Sequence, residues 1–363
     1  MSLVSCFLYL PLMDQKTRIK LFVEAIWNWY SVHKRELPWR DLKDADPTAR
    51  AYKILVSEVM LQQTQVSRVK IVFIDFLRRF PKISDLAQAS NRDVLLAWRG
   101  MGYNSRALRL RDAARTIVAR SLVTSYSLQK SEEIKRVTSQ RATSNETHFP
   151  QTMEELRSIP GVGHYTAGAI RNFAFNLPTP CIDTNIRRIL HRTFVGPENA
   201  DGSWKKDDRF LLSLVAHVLE VAINSKGDSH DAKNWHAALM DFGSLVQTKN
   251  NPKWDVCPLT ARGIMKTNPK NFSFVETRRW RVSKKSEPGR MVGSKYIPNR
   301  IFRGKIVEAL RDAERGLTVT QIGREVCIDW NAKEHELWLK NLIKKLVHDR
   351  LIDTKKNAYV LAE

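Results

Sequence analysis

The sequence has few of the features that would cross-link a protein or embed it in a membrane. Its 363 residues include only four cysteines, scattered without the spacing of a disulfide framework, which is typical of a reducing cytoplasm. No stretch approaches the roughly 20 apolar residues that a membrane span needs. The apolar start MSLVSCFLYLPL lacks a basic segment and a small-residue cleavage site, which disfavours a signal peptide. Met13, which opens a charged helical segment, is the alternative start to Met1.

Acidic residues are also scarce relative to basic ones. The chain has 60 Lys and Arg against 38 Asp and Glu, a formal net charge of +22. This excess is larger than solubility requires and suits a polyanionic partner, although charge alone does not separate DNA, RNA and an anionic membrane. Hydrophobic content of 43% is ordinary for a folded protein and excludes wholesale disorder.

Apolar residues recur at steps of three and four from Asp14 to about Arg120, which predicts successive amphipathic helices. Residues 121–148 are rich in Ser and Thr and only weakly periodic, so we interpret them as a flexible surface insertion. Helical periodicity resumes at Thr152 and continues with breaks to about Gln247. These patterns predict one helical domain over residues 14–265.

The last third of the chain has a different character. Residues 278–305 contain ten Lys and Arg against a single acidic residue, with two prolines and three glycines, which predicts a basic linker at 278–300. Residues 301–363 show three helical patterns and an alternating segment around a polar turn, as in a winged helix. We interpret this segment as a DNA-contacting module that raises affinity; a protein-interaction or structural cap is the alternative.

The segment IPGVGHYTAGAI predicts two helices joined by a tight turn. Pro160 with Gly161 and Gly163 lets the backbone bend sharply and approach a partner closely. The amides of the two glycines and of the following helix would then point outward as donors for an anion. Taken alone the motif is weak, because many helix hairpins carry such glycines only for packing.

Two carboxylates each allow two interpretations, one structural and one catalytic. Asp183 comes directly before a helical run and is followed by Asn185, so it is either a helix cap or an active carboxylate. Glu58 lies on the apolar face that holds Ile54 and Leu61. A glutamate there is either misplaced or a carboxyl that burial keeps protonated.

Six segments taken in order resemble the endonuclease III-like superfamily of DNA glycosylases, and within it the adenine (MutY-type) branch. They are LPWR, SEVMLQQTQV, WRGMGYNSRAL, IPGVGHYTAGAI, CIDTNIRRIL and ALMDFG. The resemblance spans residues 37–259. It implies an all-α, two-lobed helix-hairpin-helix glycosylase domain, followed here by a small winged-helix-like (α+β) domain.

The resemblance also implies roles that the chemistry of N-glycosidic cleavage needs. One group protonates the leaving base while another stabilises the cationic sugar. Glu58 matches the family's general acid and Asp183 the carboxylate that faces the sugar, with Asn185 orienting Asp183 or the attacking water. Tyr165 stands where strand-cutting relatives carry the lysine of a Schiff base, which implies a monofunctional enzyme.

Contacts to DNA follow from the same resemblance. The target base must leave the stack before the chemistry begins. Gln63 and Thr64 match residues that approach the orphaned partner base, and Tyr103 matches an intercalating wedge. A packed turn aromatic and an exposed helix face are the simpler alternatives. The implied partner is duplex DNA with a mismatch or an oxidised guanine, bound by a monomeric, cytoplasmic, nucleoid-associated protein that does not enter the membrane.

The chain departs from the family's pattern in three places. The family's four cluster-binding cysteines, spaced C-x6-C-x2-C-x5-C, correspond here to Gln247, Trp254, Cys257 and Gly263. One thiolate cannot hold a [4Fe–4S] cluster, so we expect no cofactor. Ala237 replaces a Gln or Glu that reaches the flipped adenine. Nothing after Leu259 resembles the Nudix-like domain that checks for 8-oxoguanine.

The sequence therefore favours a base excision repair glycosylase that hydrolyses adenine mispaired with 8-oxoguanine or guanine. A thymine or uracil mismatch glycosylase is the nearest alternative, since that branch also carries tyrosine at the position of Tyr165. A catalytically idle DNA-binding protein needs no buried acid, so Glu58 and Asp183 argue against it. A strand-cutting lyase is disfavoured by Tyr165.

Overall fold

The computed structural model describes residues 13–135, 148–199, 203–267 and 287–363, with side chains up to Leu122 in the first range. Within these ranges the chain is helical apart from two short hairpins near its C-terminal end, which confirms the predicted fold class. No helix in the described ranges is long and apolar enough to cross a membrane. The helices are α1 (Gln15–His33), α2 (Pro47–Leu61), α3 (Val66–Arg79), α4 (Ile83–Gln88), α5 (Asn91–Ala97), α6 (Ser105–Lys135), α7 (Met153–Arg157), α8 (His164–Phe175), α9 (Thr184–Leu190), α10 (Asp208–Ile223), α11 (Ala232–Leu245), α12 (Pro258–Ala261), α13 (Asn299–Arg311), α14 (Val319–Val326) and α15 (Ala332–His348).

The chain divides into two compact units. The first unit is made of residues 1–36 and 171–283, and the second of residues 37–170 and 284–363. The predicted domain 14–265 thus contributes to both units, and the C-terminal segment belongs with residues 37–170. Each unit is described by itself.

The core of the first unit is aromatic. On α1, Phe22 and Trp27 point inward and meet Trp235 of α11 edge-on or tilted, with ring centroids 6.1 and 5.1 Å away. Such tilted aromatic pairs are stabilised beyond the area that they bury. After α9 the chain makes a π-helical turn at His191–Val195, whose residues are mostly buried in the same core.

In the second unit, α2 to α7 and the start of α8 pack around a core that includes Phe76 and Trp98, edge-on at 5.9 Å. Helix α6 is longer than the sequence predicts. It continues to Lys135, so the first part of the predicted insertion 121–148 is helical. Residues 121–135 contain no glycine or proline, and an existing helix extends readily through such a segment. Residues 136–147 lie outside the described ranges.

The C-terminal domain contains α13, α14 and α15, and a hairpin after them, as the sequence predicts. Strands β3 (Ile352–Lys355) and β4 (Ala358–Leu361) pair antiparallel. An earlier hairpin was not predicted: β1 (Gly289–Val292) and β2 (Lys295–Pro298) lie inside the proposed linker 278–300. Gly293, with φ +57°, opens the two-residue turn between them. The linker prediction is therefore wrong from residue 289 onward, and residues 278–286 lie outside the described ranges.

Three arginine contacts fasten this domain to the rest of the second unit. The guanidinium of Arg311 at the end of α13 donates to the carbonyl oxygen of Leu95 and to the side-chain oxygen of Asn104, at 3.1 and 3.0 Å. Arg99 pairs with Asp312, and Arg350 pairs with Asp112. The segment 301–363 is consequently packed on the glycosylase part and is not a module on a free linker.

Candidate active site and DNA interface

Glu58 lies on the buried side of α2. This helix begins at Asp46, whose carboxylate accepts hydrogen bonds from the amides of Thr48 and Ala49, and proline occupies its first position. Glu58 is 7% exposed, one turn after Ile54, which is 2% exposed. The predicted general acid is thus a buried carboxyl group on α2.

The turn that follows α2, residues 62–65, holds the two predicted contacts to the orphaned base. We call it the Gln63 turn. Gln63 is exposed and has φ +55°, in the left-handed region that residues other than glycine rarely adopt. The hydroxyl of Thr64 donates to the carbonyl oxygen of Gln62 at 3.3 Å. Gln63 is thus exposed at the surface of the second unit, and Thr64 is half-buried beside it.

The predicted wedge lies on a second strained segment, residues 100–104, which we call the Tyr103 loop. Gly100, Gly102 and Tyr103 have φ of +79°, +65° and +44°. Met101 between them is buried and fixes the loop to the core. Tyr103 remains 47% exposed, which fits an aromatic side chain that inserts into DNA better than a packed turn residue.

One buried guanidinium joins the Gln63 turn to the Tyr103 loop. Arg106 donates to the Thr64 hydroxyl at 3.0 Å and to five backbone carbonyl oxygens, those of Val59, Met60, Gln62, Met101 and Gly102. Its guanidinium also lies 5.7 Å from the ring centroid of Tyr103. Burial lowers the pKa of Arg106 to about 10, so it stays charged at neutral pH. Two segments far apart in sequence are thereby held as one surface.

The predicted helix hairpin is also present in the second unit. Helix α7 ends at Arg157, α8 begins at His164, and Gly161 between them has φ +83°. A Cβ at Gly163 would meet nothing within 4 Å, so this glycine is not needed for packing in the structure. An open glycine before the amides of a helix N-terminus allows a phosphate to come close. Tyr165, half-buried, lies in the first turn of α8.

In the first unit Asp183 caps α9. Its carboxylate accepts hydrogen bonds from the amide of Ile186 and from the side-chain amide of Asn185, both at 2.7 Å. Shielding of the carboxylate from water raises the pKa of Asp183, and those two hydrogen bonds with the charge of Arg188 oppose that rise. Asp183 is thus a helix cap whose carboxylate also has a perturbed acidity; its role as an active carboxylate stays a prediction.

A chain of hydrogen bonds supports Asp183 from behind. Arg188, which is buried, donates to the side-chain oxygen of Asn185 and to the carbonyl oxygen of Gly243, both at 2.7 Å. It also donates to the carbonyl oxygen of Gln247. Because Arg188 fixes the oxygen of Asn185, the amide nitrogen of that residue must face Asp183. The structure therefore brings Asn185 and Asp183 together as predicted.

The motif ALMDFG has a packing explanation. A Cβ at Gly243 would lie 2.6 Å from the Cβ of Asn185, so only glycine allows α11 to approach α9 this closely. The fully buried carboxylate of Asp241 accepts bonds from the backbone amide and the guanidinium of Arg35, at 3.1 and 2.7 Å. Ala237 on the same helix is 1% exposed and lies in the hydrophobic core. The expectation that this position faces the substrate is not supported, because a core position favours a small apolar side chain.

The four positions where the family holds an iron–sulfur cluster do not fit one here. The side-chain amide of Gln247 donates to the Cys257 thiol at 3.3 Å, and Arg192 donates to the Gln247 side-chain oxygen at 3.2 Å. Trp254 lies 5.7 Å from the guanidinium of Arg192. Of the four ligands that a cluster takes, only the Cys257 thiol is present, and it is already paired with an amide. In the described part of the chain no group of three His, Cys, Asp or Glu side chains is arranged to hold a metal ion.

Comparison with known proteins places this geometry in a family. Residues 56–207 match the HhH-GPD superfamily of base excision DNA repair proteins. The adenine DNA glycosylase of Mycobacterium tuberculosis is 30% identical over 326 residues, which cover 90% of this chain and 89% of that protein. The chain belongs to the adenine DNA glycosylase family. An alignment of this length extends well beyond Leu259, so this family member is similar to part of the C-terminal third as well.

Two further comparisons bear on fold and length. The mouse adenine DNA glycosylase is 35% identical over 244 residues, which are 66% of this chain but 41% of the mouse protein. The chain thus spans about two fifths of that mammalian family member. The solved structure of a thermostable thymine-DNA glycosylase covers 69% of this chain and 96% of its own, at 21% identity and a TM-score of 0.52. That likeness concerns the fold alone.

Sequence reasoning named the residues that would meet DNA and missed those that hold them. Arg106 and Arg188 lie within the motifs WRGMGYNSRAL and CIDTNIRRIL, but the sequence analysis assigned them no role. The available signal was an arginine spaced with apolar residues on a helix, which predicts a buried cation. Its partners are backbone carbonyl oxygens from distant segments, and no sequence pattern identifies those.

Proposed function

We propose that this family member removes adenine mispaired with 8-oxoguanine or guanine by hydrolysing its N-glycosidic bond. The observation that carries the proposal is the alignment with an adenine DNA glycosylase over nine tenths of both chains. The geometry supports it because Glu58 is buried on α2 while the carboxylate of Asp183 accepts hydrogen bonds at the start of α9. Two carboxyl groups in such different environments suit acid and anion roles.

Glu58 is the proposed acid, which transfers its proton to the leaving adenine. Loss of the base leaves an electron-poor sugar, and the carboxylate of Asp183 stabilises that charge. Asn185 keeps the carboxylate oriented, because its own amide is fixed by Arg188. A water then completes the hydrolysis. Tyr165 carries no amine, so no Schiff base forms and the DNA strand is left uncut.

The partner is duplex DNA. The Gln63 turn and the Tyr103 loop meet the gap left by the extruded base, and the amides beside Gly161 and Gly163 hold a backbone phosphate. A net charge of +22 strengthens binding to any duplex, and this part of the affinity weakens with salt. We propose a monomer that works without an iron–sulfur cluster, since Gln247, Trp254 and Gly263 offer no thiolate.

A single-turnover assay tests the proposal on duplexes with A opposite 8-oxoguanine, A opposite G, T opposite G and U opposite G. We expect excision of both adenines, with the strand intact until alkali is added. Glu58→Gln should slow excision about 10²- to 10⁴-fold, the usual contribution of general acid catalysis, with duplex affinity unchanged.

The matched control is Glu220→Gln, which neutralises an exposed glutamate of α10 and should leave excision unchanged. Excision of T or U instead of A would contradict the proposed specificity for adenine. Glu58→Gln with activity within about tenfold of the wild type would remove Glu58 from the role of acid.

A further inference from the structure

The Tyr103 loop is in contact with the C-terminal domain. Arg311, the last residue of α13, has a fully buried guanidinium that donates to the Asn104 side-chain oxygen at 3.0 Å. Asn104 directly follows Tyr103 and is itself 5% exposed. Arg311 also donates to the carbonyl oxygen of Leu95 and pairs with Glu308, so its charge is compensated. The C-terminal domain thus binds Asn104, the residue next to the predicted wedge.

A second residue of α13 lies beside Tyr103 itself. This residue is Arg300. Its pKa is raised mainly by a hydrogen bond to Glu287, and charge and a hydrogen bond from Tyr103 raise it further. Arg300 and Tyr103 also line one cleft of about 960 Å³, together with Gln63 and Thr64. One helix of the C-terminal domain therefore meets the wedge at two successive residues of the loop.

The conformation of Tyr103 needs such support. Its φ of +44° lies in the left-handed region, which a residue with a Cβ seldom adopts unless its surroundings impose it. Arg106 holds Met101 and Gly102, which precede the tyrosine. Arg311 holds Asn104, which follows it. The wedge is fixed on both sides by buried guanidinium groups, one of them supplied by the C-terminal domain.

We propose that Arg311 is a positioning residue for the Tyr103 wedge, so that the C-terminal domain takes part in extruding the target base. This inference rests on the proposed function. It assigns the domain more than the general DNA affinity that its basic residues provide. A displaced wedge slows the step in which a paired base leaves the stack, and it matters little for a base that is already unpaired.

Base extrusion can be measured apart from chemistry with 2-aminopurine at the target position opposite G, since its fluorescence rises on unstacking. The measurement uses full-length protein that carries Glu58→Gln, so that no excision occurs, at a concentration that saturates the duplex. We expect Arg311→Met in this background to reduce the fluorescence gain at least about twofold, because small displacements of a positioning group have large effects. Asn104→Ala removes the same contact from the other side and should do the same.

Excision by otherwise wild-type protein supplies a second readout. Arg311→Met should slow removal of adenine opposite G about 10- to 100-fold, and removal of adenine from a single-base bulge less than about threefold. Tyr103→Ala should show the same split, and the double variant should lose little more, as expected of residues that act as a unit. Arg350→Met is the matched control: it breaks another arginine contact of the C-terminal domain, on Asp112, and should change neither readout.

Two results would overturn the inference: an undiminished fluorescence gain in Arg311→Met and Asn104→Ala, or equal slowing on paired and bulged adenine. Should Arg311→Met fail to fold, Asn104→Ala still decides, because it leaves the buried arginine with Glu308 and Leu95. Absence of excision by the wild type, together with normal unstacking by Glu58→Gln, would reject the proposed function while the fluorescence comparison still tests Arg311.

Discussion

The two regions that carry the predicted site are stabilised in opposite ways. Asp183 lies at the start of a regular helix, and its hydrogen-bond partners, Asn185 and then Arg188, are themselves satisfied. The Gln63 turn and the Tyr103 loop are irregular, and both place a side chain at the surface with positive φ. The carboxylate is thus held by local secondary structure, whereas the residues predicted to contact DNA are held by buried arginines from other segments.

The difference follows from what each region has to do. A carboxylate that stabilises a developing charge is most effective when its orientation is fixed before the substrate arrives. A side chain that enters DNA must stay exposed, so it cannot be fixed by its own burial, and the backbone beneath it has to be fixed instead. Arg106 does this with hydrogen bonds to backbone carbonyl oxygens on both segments. Substitutions in the two regions should therefore have different effects on catalysis, stability and DNA binding.

The largest effect is expected on the Asp183 side. Asp183→Asn keeps a helix-capping side chain but removes the negative charge, so excision should slow about 10²- to 10³-fold, the size found for loss of one electrostatic stabiliser. Single-turnover rates with A opposite G measure this. Affinity for the duplex should change little, because the loops predicted to contact DNA lie elsewhere in the sequence. Loss of affinity with unchanged excision at saturation would assign Asp183 to binding.

The pH dependence of stability checks the same residue without substrate. A raised pKa means that ionising Asp183 costs more in the folded than in the unfolded state. Its stabilising effect is complete below the ordinary aspartate value of 3.8 and is lost as pH rises through the raised pKa. Relative to wild type, Asp183→Asn should therefore gain free energy of unfolding as the pH rises above 3.8 and through the raised pKa. Urea unfolding at several pH values measures the difference, and a flat or falling difference would show that burial does not raise this pKa.

On the loop side, Arg106→Met should act on stability and DNA contact together. It leaves carbonyl oxygens of both segments without their donor, and we expect a loss of about 3 kcal/mol in the free energy of unfolding. Because the Gln63 turn and the Tyr103 loop then separate, mismatch excision should also fall. Arg109→Met, an exposed arginine one turn later on α6, is the control. Equal stability of the two variants would show that Arg106 does not hold the loops.

This asymmetry also explains how much the sequence predicts. The helical fold, the hairpin turn at Gly161 and the cap at Asp183 follow from local patterns, because caps, periodicity and turn glycines act over a few residues. The hairpin at 289–298 was missed because a high density of basic residues masked its short strands. The roles of Arg106, Arg188 and Arg311 do not follow from the sequence, because each has at least one hydrogen-bond partner in a segment far away along the chain. The sequence does not say which face of α11 meets the core, and the structure shows that the face with Ala237 does.

Smaller effects are expected at the two glycines of the helix hairpin, where alanine substitutions should differ in their cost to stability. Gly161 has φ +83°, so Gly161→Ala should cost about 1–2 kcal/mol of stability through backbone strain. Gly163 has no such strain, and a Cβ there meets nothing within 4 Å. Gly163→Ala should therefore leave stability within about 0.5 kcal/mol of wild type while weakening DNA binding, because the methyl group faces the approaching phosphate. Thermal unfolding and salt titrations of duplex binding measure the two effects. Equal destabilisation would mean that Gly163 also has a packing role.

A small effect on stability alone is expected at Cys257, the one thiol that coincides with a cluster position. In the structure this thiol accepts a hydrogen bond from the side-chain amide of Gln247. The backbone carbonyl oxygen of Gln247 accepts a hydrogen bond from Arg188. The loop thus supports the Asp183 region through amide and guanidinium groups. Cys257→Ala leaves one weak bond unmade and should cost about 1 kcal/mol of stability, with iron content no different from that of wild type.

Arg192→Met tests the same loop from its other side. Arg192 donates to the Gln247 side-chain oxygen and to the carbonyl oxygen of Thr248, so its loss should destabilise the protein more than Cys257→Ala does, by about 3 kcal/mol. A cluster would reverse that order, because removing a thiolate ligand releases iron and unfolds the loop that the metal holds. Iron analysis of purified wild type and the two unfolding curves therefore decide the question together. Stoichiometric iron that disappears in Cys257→Ala would show that the protein does hold a metal centre, and that the hydrogen bonds of Arg192 are not what fixes this loop.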